Sequence, residues 1–236
     1  MMSAPAPSLA EVKRLNQRFA SAHPTEIIRW AVETFRPKAA LTSSFGARSA
    51  GILHLAVQVD PQIDVRFVDT GLLFPETYQF RDELQRRLGL KITTFKTRLD
   101  VERFVREHEH LGIGHPDFCC SPHKVEATER ALAGLSGWIT GITRSDSAAR
   151  ANTPLVEVLT TGLVKVAPLA AWTAKEIHAY LAEHQLPYHP LWEKGYVSIG
   201  DVHSTRPLHE VGHIDQTRFS GLKRECGLHE INLAGL

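Results

Sequence analysis

One cysteine near the end of the chain, Cys226, lies among positively charged and titratable residues. Lys223 and Arg224 precede it, and His229 follows it. Neighbouring positive charge lowers the pKa of a thiol, and the thiolate is the form that acts as a nucleophile. Free cysteine is also often buried as a small apolar side chain, so packing in a C-terminal tail is the alternative. On these residues alone both interpretations stay open.

Two turns rich in small or hydroxyl-bearing residues each follow an apolar run and precede a helical pattern. Ser43-Ser44-Phe45-Gly46 would expose backbone N–H groups and a helix N-terminus, which attract phosphate. Asp69-Thr70-Gly71 would present a carboxylate that can accept a hydrogen bond from a ribose or an adenine. The alternatives are a plain helix cap for the first turn and an Asp that caps the turn before Pro75 for the second. The first turn is not a Walker A loop, because it lacks the Gly-Lys-Ser/Thr ending.

Two arginines, Arg144 and Arg150, lie in the loop that follows the fourth predicted strand. Their guanidinium groups could hold a phosphate or a sulfate by bidentate hydrogen bonds. Solvated surface charges are the usual alternative for arginine. Ligands of parallel sheets bind at the carboxyl ends of the strands, so the position of this loop favours a binding role.

The spacing of apolar residues predicts an α/β fold that brings these loops to one edge of a parallel sheet. Helical spacing runs through residues 9–35 and repeats after Pro24. The predicted strands are Ala39–Thr42, Asp64–Asp69, Lys91–Phe95 and Trp138–Ile142, with two short extended segments at Leu155–Leu159 and Leu163–Val166. The later predicted helices are one through Ile52 and Val59, one ending near Leu88, then Leu99–His108, His123–Leu135 and Thr173–Glu183, the last with a capping box.

Composition places the chain among ordinary globular proteins. Hydrophobic residues make up 43% of its 236 residues and the net charge is +1, so nothing global points to nucleic acid or to an anionic membrane surface. We see neither a membrane span nor a secretory signal. Three cysteines, two of them adjacent, make a poor disulfide framework, so we expect the protein to be located in the cytoplasm.

We divide the chain into an N-terminal tail and helix (1–25), a nucleotide-binding α/β domain (26–210) and an irregular C-terminal arm (211–236).

Together and in this order, the motifs resemble the sulfonucleotide reductases, which include phosphoadenylyl-sulfate (PAPS) and adenylyl-sulfate (APS) reductases. The resemblance covers residues 26–230, and its most specific part is the run Lys223-Arg224-Glu225-Cys226-Gly227-Leu228-His229. Ser43-Ser44-Phe45-Gly46, Asp69-Thr70-Gly71, Phe74-Pro75-Glu76-Thr77 and Tyr188-His189-Pro190-Leu191-Trp192 are similar to other family segments. The resemblance implies a Rossmann-like, adenine-nucleotide α-hydrolase-like parallel sheet with flanking helices, in agreement with the order of elements above.

The resemblance also implies a covalent mechanism in sulfate assimilation. The thiolate of Cys226 would attack the sulfur of an activated sulfate, and a nucleotide phosphate would leave. A thiol of thioredoxin (or glutaredoxin) would then release sulfite from the S-sulfocysteine. The residues expected to bind the substrate are Ser43, Ser44, Phe45, Gly46, Asp69, Thr70 and Gly71 in the two turns, the cations Arg144, Arg150, Arg206, Lys223 and Arg224, and His229. For His229, tuning of the thiol is less favoured than a phosphate contact or a solvated position.

The chain departs from the iron–sulfur members of the family. The resemblance implies that a [4Fe–4S] cluster would need Cys119-Cys120 and two later cysteines, but Asp201 and Ser204 stand at those later positions. We therefore expect no cluster and no bound metal or cofactor. This absence favours PAPS over APS as the substrate, by association only, because cluster-free APS reductases exist in the family.

The remaining Cys119-Cys120 pair has three possible roles. Packing as a remnant, at the start of a helix, is favoured over a redox pair or accessory thiol. A zinc site with His123 and His203 is least favoured, because the spacing matches no compact zinc motif.

Two other classes of function stay open. An ATP-dependent adenylyl transferase or ATP pyrophosphatase of the same superfamily would carry a Ser-Gly-Gly-x-Asp-Ser-type loop, from which Ser43-Ser44-Phe45-Gly46 departs. A non-catalytic nucleotide sensor would not need Cys226. Because family members form homo-oligomers, we also expect a homo-oligomer, in the simplest case a dimer.

We expect protein purified without oxygen to be colourless and free of iron, because Asp201 and Ser204 cannot supply the missing thiolates. An absorption spectrum and an elemental iron assay test this expectation. A brown protein with iron–sulfur charge-transfer absorption would contradict it.

Overall fold

The computed structural model describes residues 6–108 and 122–221. The α-helices in these ranges are α1 (Leu9–Phe19), α2 (Pro24–Phe35), α3 (Ser49–Val59), α4 (Pro75–Leu88), α5 (Val101–His108), α6 (Pro122–Leu132), α7 (Ala174–Glu183) and α8 (Leu208–Val211). The strands are β1 (Ala39–Ser43), β2 (Asp64–Asp69), β3 (Lys91–Lys96), β4 (Gly137–Thr140), β5 (Val156–Val158) and β6 (Val164–Val166). None of the helices within these ranges is long and apolar enough to cross a membrane.

The strands form one sheet in the order β3-β2-β1-β4-β6-β5. Five strands are parallel, as predicted, whereas β5 pairs antiparallel with β6. The two short extended segments predicted at Leu155–Leu159 and Leu163–Val166 form this antiparallel pair, because the short loop between them cannot make the crossover that parallel strands need. The chain first adds strands on one side of β1 and then, from β4, on the other. This change of direction opens a crevice between the loops that follow β1 and β4.

The hydrophobic core lies on both faces of the central strands. Leu41, Val65 and Ile139 point into it from neighbouring strands and are fully buried. Helix α3 adds Leu53 and Leu55, which are also fully buried. Burial on both faces explains why β1 and β4 are mostly apolar in sequence, whereas β2 alternates between buried and half-buried residues.

The helical region predicted over residues 9–35 is two helices. Ser8 and Glu11 form a capping box at the start of α1, and Pro24 occupies the first turn of α2. A proline is tolerated there because the first N–H groups of a helix have no partner within the helix. The capping box predicted for α7 is confirmed: the Glu176 N–H donates to Thr173 Oγ1 (3.2 Å), and Thr173 N–H donates to the Glu176 carboxylate (2.7 Å).

Asn16 on helix α1 covers the edge of the sheet at β5. The side-chain amide of Asn16 donates to the Val156 carbonyl (2.8 Å), and its oxygen accepts from the N–H groups of Leu155 (2.8 Å) and Val156 (3.2 Å). These bonds satisfy backbone groups of β5 that a neighbouring strand would otherwise satisfy. Phe19, at the end of α1, is buried in the main core.

The start of β4 depends on a glycine. A methyl group at Gly137 would lie 2.5 Å from Cδ2 of Phe35, which is fully buried on α2. We expect G137A to lower the free energy of unfolding by about 1–3 kcal/mol, because overpacking forces side chains out of their rotamers. Urea denaturation measures this change.

Gly51 on α3 provides the matched control. A methyl group there would meet Leu181 at 3.7 Å, an ordinary contact. G51A should leave stability unchanged or raise it by about 0.5–1 kcal/mol, since alanine favours a helix. Equal effects of the two substitutions would contradict the close packing of Gly137 against Phe35.

Candidate active site

In the loop after β1, some side chains point into the core and others reach the surface. Phe45 has a positive φ of 49° and its ring is fully buried, packed edge-on against Phe67 at 5.3 Å between centroids. Ser43 is buried and its Oγ accepts the Phe45 N–H at 3.1 Å, whereas Ser44 is exposed. The Ser44 side chain therefore reaches the surface of this loop, whereas the Gly46 carbonyl is bound by Ser49. The Phe45 side chain belongs to the core.

The carboxylate of Asp69 stabilises the conformation of the loop after β2. Asp69 Oδ1 accepts from the Gly71 N–H and from the Tyr78 hydroxyl, both at 2.8 Å. This geometry is the turn-capping role that the sequence left open for Asp69. Burial, reinforced by the bond to Asp69, raises the pKa of Tyr78. Gly71 has a φ of 73°, a conformation that favours glycine.

The loop after β4 meets the loop after β1 through one shared carboxylate. Asp146 Oδ1 accepts from Arg48 (2.8 Å), and its Oδ2 accepts from Arg150 (3.1 Å). The three side chains are only about one fifth exposed, at 24%, 20% and 20% for Arg48, Asp146 and Arg150. One carboxylate therefore holds two guanidinium groups, one from the loop after β1 and one from the loop after β4. Such a pair can hold an anion, because a guanidinium carries five N–H donors in a fixed planar arrangement.

Arg144 is not part of this arrangement. Its side chain is exposed and its Nε donates to the Thr153 carbonyl at 2.8 Å. Sequence reasoning found Arg150 but missed Arg48, which takes the place of Arg144 beside Asp146. The available signal was its position two residues after Gly46, at the N-cap of α3.

A second cluster of charges, the Asp201 cluster, consists of Asp201, Thr70, Lys124 and Arg218. Asp201 is 1% exposed, and its Oδ1 accepts from Thr70 Oγ1 at 2.5 Å. Burial alone would raise the pKa of Asp201, but Lys124, the Thr70 hydroxyl, His203 and Arg218 together lower it, so the carboxylate is charged. Arg218 is 9% exposed and donates to Ser204 Oγ at 3.5 Å, and its Nε has no hydrogen-bond partner among the described residues. From the sequence, Asp201 stood out only as the replacement of a cluster-binding cysteine, and Lys124 and Arg218 were not predicted to belong to the site.

Several predicted residues lie elsewhere. The side chain of Arg206 is exposed, while its N–H donates to the Thr217 carbonyl at 2.9 Å. Within the described ranges, no group of three or more His, Cys, Asp or Glu side chains could hold a metal ion. The residues predicted to carry the sulfur chemistry or a cluster lie outside those ranges, namely Cys119, Cys120, Lys223, Arg224, Cys226 and His229.

A backbone hydrogen bond connects the loop after β1 to the segment Tyr188-His189-Pro190-Leu191-Trp192. The His189 N–H donates to the Ala47 carbonyl at 3.4 Å. His189 Nδ1 accepts the Leu191 N–H at 3.1 Å, so in the neutral ring Nε2 carries the proton and donates to Thr77 Oγ1 at 3.0 Å. Burial lowers the pKa of His189 to about 4, and the ring is neutral at neutral pH.

The fold and the site define a Rossmann-like α/β protein with cations grouped at the carboxyl ends of its strands. The family model for the phosphoadenosine phosphosulfate reductase domain matches residues 38–207. A phosphoadenosine 5'-phosphosulfate reductase of Xanthomonas campestris pv. campestris (strain B100) is 44% identical over 230 residues, covering 95% of this chain and 95% of the relative. The chain belongs to the phosphoadenosine phosphosulfate reductase family.

Solved structures agree with this assignment. The PAPS reductase from Candida auris, in a phosphate complex, superimposes with a TM-score of 0.74 at 30% identity, covering 87% of this chain and all of that chain. The FMN adenylyltransferase of Candida glabrata, in complex with FMN and the ATP analogue AMPCPP, gives 0.59 at 15% identity over 88% of this chain and 68% of its own, which shows the fold alone. The predicted adenine-nucleotide α-hydrolase-like fold is confirmed.

His189 makes stability depend on pH. In the unfolded chain its pKa is about 6.5, so between about pH 6.5 and pH 4 the unfolded state binds more protons and stability falls as the pH falls. H189N removes this titration, and its Oδ1 can accept the Leu191 N–H. On going from about pH 7 to about pH 5, wild type should lose about 1–2 kcal/mol more than H189N, as measured by urea unfolding. An identical loss in both proteins would mean that His189 is not held neutral by burial.

Proposed function

We propose that this protein reduces 3'-phosphoadenylyl sulfate to sulfite and adenosine 3',5'-bisphosphate, with thioredoxin as the electron donor. The observation that carries this proposal is the match of 44% identity along 95% of the chain to a relative named for that reaction. The crevice between β1 and β4 supports it, since Arg48 and Arg150 provide guanidinium groups suited to a doubly charged anion.

The proposed reaction has two steps at Cys226. Its thiolate attacks the sulfur of the sulfate group, an S–S bond forms, and the S–O bond to the nucleotide phosphate breaks. The nucleotide leaves with the electron pair of that bond, and Cys226 becomes S-sulfocysteine. A thiolate of thioredoxin then attacks Cys226 Sγ, and sulfite leaves with the electron pair of the S–S bond. The second thiol of thioredoxin resolves the mixed disulfide, so the two electrons come from the thioredoxin dithiol.

The described residues would bind the substrate and stabilise the leaving group. The loop after β1 offers the Ser44 hydroxyl and backbone N–H groups to a phosphate. Arg218 is the cation of the Asp201 cluster best suited to an anion, because its buried Nε has no hydrogen-bond partner within the described part of the chain. Preorganised donors stabilise charge that develops on the leaving phosphate. We assign no step to a metal or an iron–sulfur cluster.

The cellular setting follows from the same chemistry. A free thiolate and a thioredoxin partner need a reducing compartment, so we place the reaction in the cytoplasm. We also propose that the protein forms a homo-oligomer, in the simplest case a dimer.

C226S should abolish sulfite release, because a hydroxyl at this position is a far weaker nucleophile than a thiolate. Binding of adenosine 3',5'-bisphosphate, measured by calorimetry, should survive. The assay contains thioredoxin, thioredoxin reductase and NADPH, and it compares PAPS with APS as substrate. PAPS should give the larger kcat/KM.

C119S is the matched control, since it also replaces one thiol by a hydroxyl and should keep sulfite release within about twofold. A second measurement omits thioredoxin: wild type mixed with PAPS should carry a sulfonate adduct on the peptide that contains Cys226. Sulfite release by C226S, or an adduct on another residue, would overturn the mechanism. A larger kcat/KM for APS would overturn the substrate.

A further inference from the structure

Asp201 joins the C-terminal part of the described chain to the loop after β2. Its carboxylate accepts the Thr70 hydroxyl, and next to it the Val202 N–H donates to the Leu72 carbonyl at 2.8 Å. Asp201 also forms an isolated antiparallel bridge with Leu73. The side chain of Asp201 and the backbone beside it therefore both contact the loop after β2. This residue is 131 positions away in sequence from Thr70.

The same residue organises the segment that leads towards Cys226. The Asp201 carbonyl accepts from the hydroxyls of Ser204 (3.2 Å) and Thr205 (2.9 Å). Thr205 then pairs with Arg218 in an antiparallel bridge. Cys226 follows Arg218 by eight positions in the sequence. The base of the arm is therefore built on Asp201.

The negative charge of Asp201 interacts with nearby cations, in addition to the hydrogen bond that its carboxylate accepts from Thr70. Lys124, His203 and Arg218 all act on this carboxylate, and each favours its charged form. The guanidinium of Arg218 lies directly against Gly200, where a side chain would overlap it. A buried guanidinium without a nearby anion would be expensive to keep away from water. The carboxylate of Asp201 thus holds Arg218 at its place in the site.

We propose that Asp201 is a positioning residue, which holds the base of the Cys226 arm and the Arg218 guanidinium against the loop after β2. This inference rests on the proposed function, because the arm matters to catalysis only if Cys226 is the nucleophile. In this role Asp201 acts through Arg218 and the base of the arm, not on a reacting atom. Its loss affects the alignment of reacting groups and leaves most of the nucleotide contacts, which come from the loops after β1 and β4, in place.

The test is D201N, in which the amide oxygen can still accept the Thr70 hydroxyl while the charge is lost. We expect kcat per nucleotide-binding site to fall by about 10- to 100-fold, since a small misplacement of reacting groups has an effect of this size. KM for PAPS and the Kd of adenosine 3',5'-bisphosphate should stay within about threefold. Counting binding sites by calorimetry removes the contribution of any unfolded fraction, so a purely structural role would leave kcat per site unchanged.

E210Q is the matched control, because it removes an exposed carboxylate from the segment between Asp201 and Arg218 and should leave kcat and KM unchanged. If D201N does not fold, T70V takes its place, since it removes the hydroxyl that binds Asp201. T70V should lower kcat per site, and T70S, which restores the hydroxyl, should recover most of the loss. Failure of T70S to recover it would overturn the inference.

The outcomes separate this inference from the proposed function. Wild type that releases no sulfite from PAPS would refute the proposed function. Active wild type with an unchanged kcat per site in D201N would refute the positioning role alone. A parallel rise of KM and Kd in D201N would also refute it, because Asp201 would then act through nucleotide binding.

Discussion

The parallel hydrogen-bond ladders that join β1 to β2 and to β4 are the constraint on which the site depends. Ala40 pairs with Asp64 on one side and with Trp138 on the other, so the three strands are held in one register. A slip of one residue would turn the buried side chains of a strand to its opposite face. Core packing therefore fixes the register, and the register places the loops after β1 and β4 side by side at the crevice.

Two carboxylates organise the cations of the site. Asp146 binds Arg48 from the loop after β1 and Arg150 from its own loop after β4, and the charge of Asp201 is favoured by Arg218 and Lys124. An arginine held in this way loses little side-chain entropy when an anion binds, because its guanidinium is already in place. The positive charge of the site is thus fixed before a substrate arrives. The surrounding protein, rather than the ligand, determines where that charge lies.

The sequence predicted the local structure well and the long-range pairing poorly. Strand β2 has the predicted bounds, because its alternating burial leaves a clear apolar pattern. Arg48 was missed, since its partner Asp146 lies 98 residues away and no local pattern records that distance. Phe45 was assigned to the site from its position in a loop, but its positive φ turns the ring into the core. Motifs identify which loops carry a site, whereas tertiary contacts decide which side chains face it.

The hydrogen bonds between Asn16 and β5 help to protect the protein against aggregation through the edge of its sheet. An uncovered strand edge presents unpaired N–H and carbonyl groups, which a second sheet can use for edge-to-edge association. Asn16 occupies such groups on Leu155 and Val156. A chain shortened to begin after Phe19 would keep every loop of the site but expose this edge. Such a chain would be prone to associate edge to edge through β5.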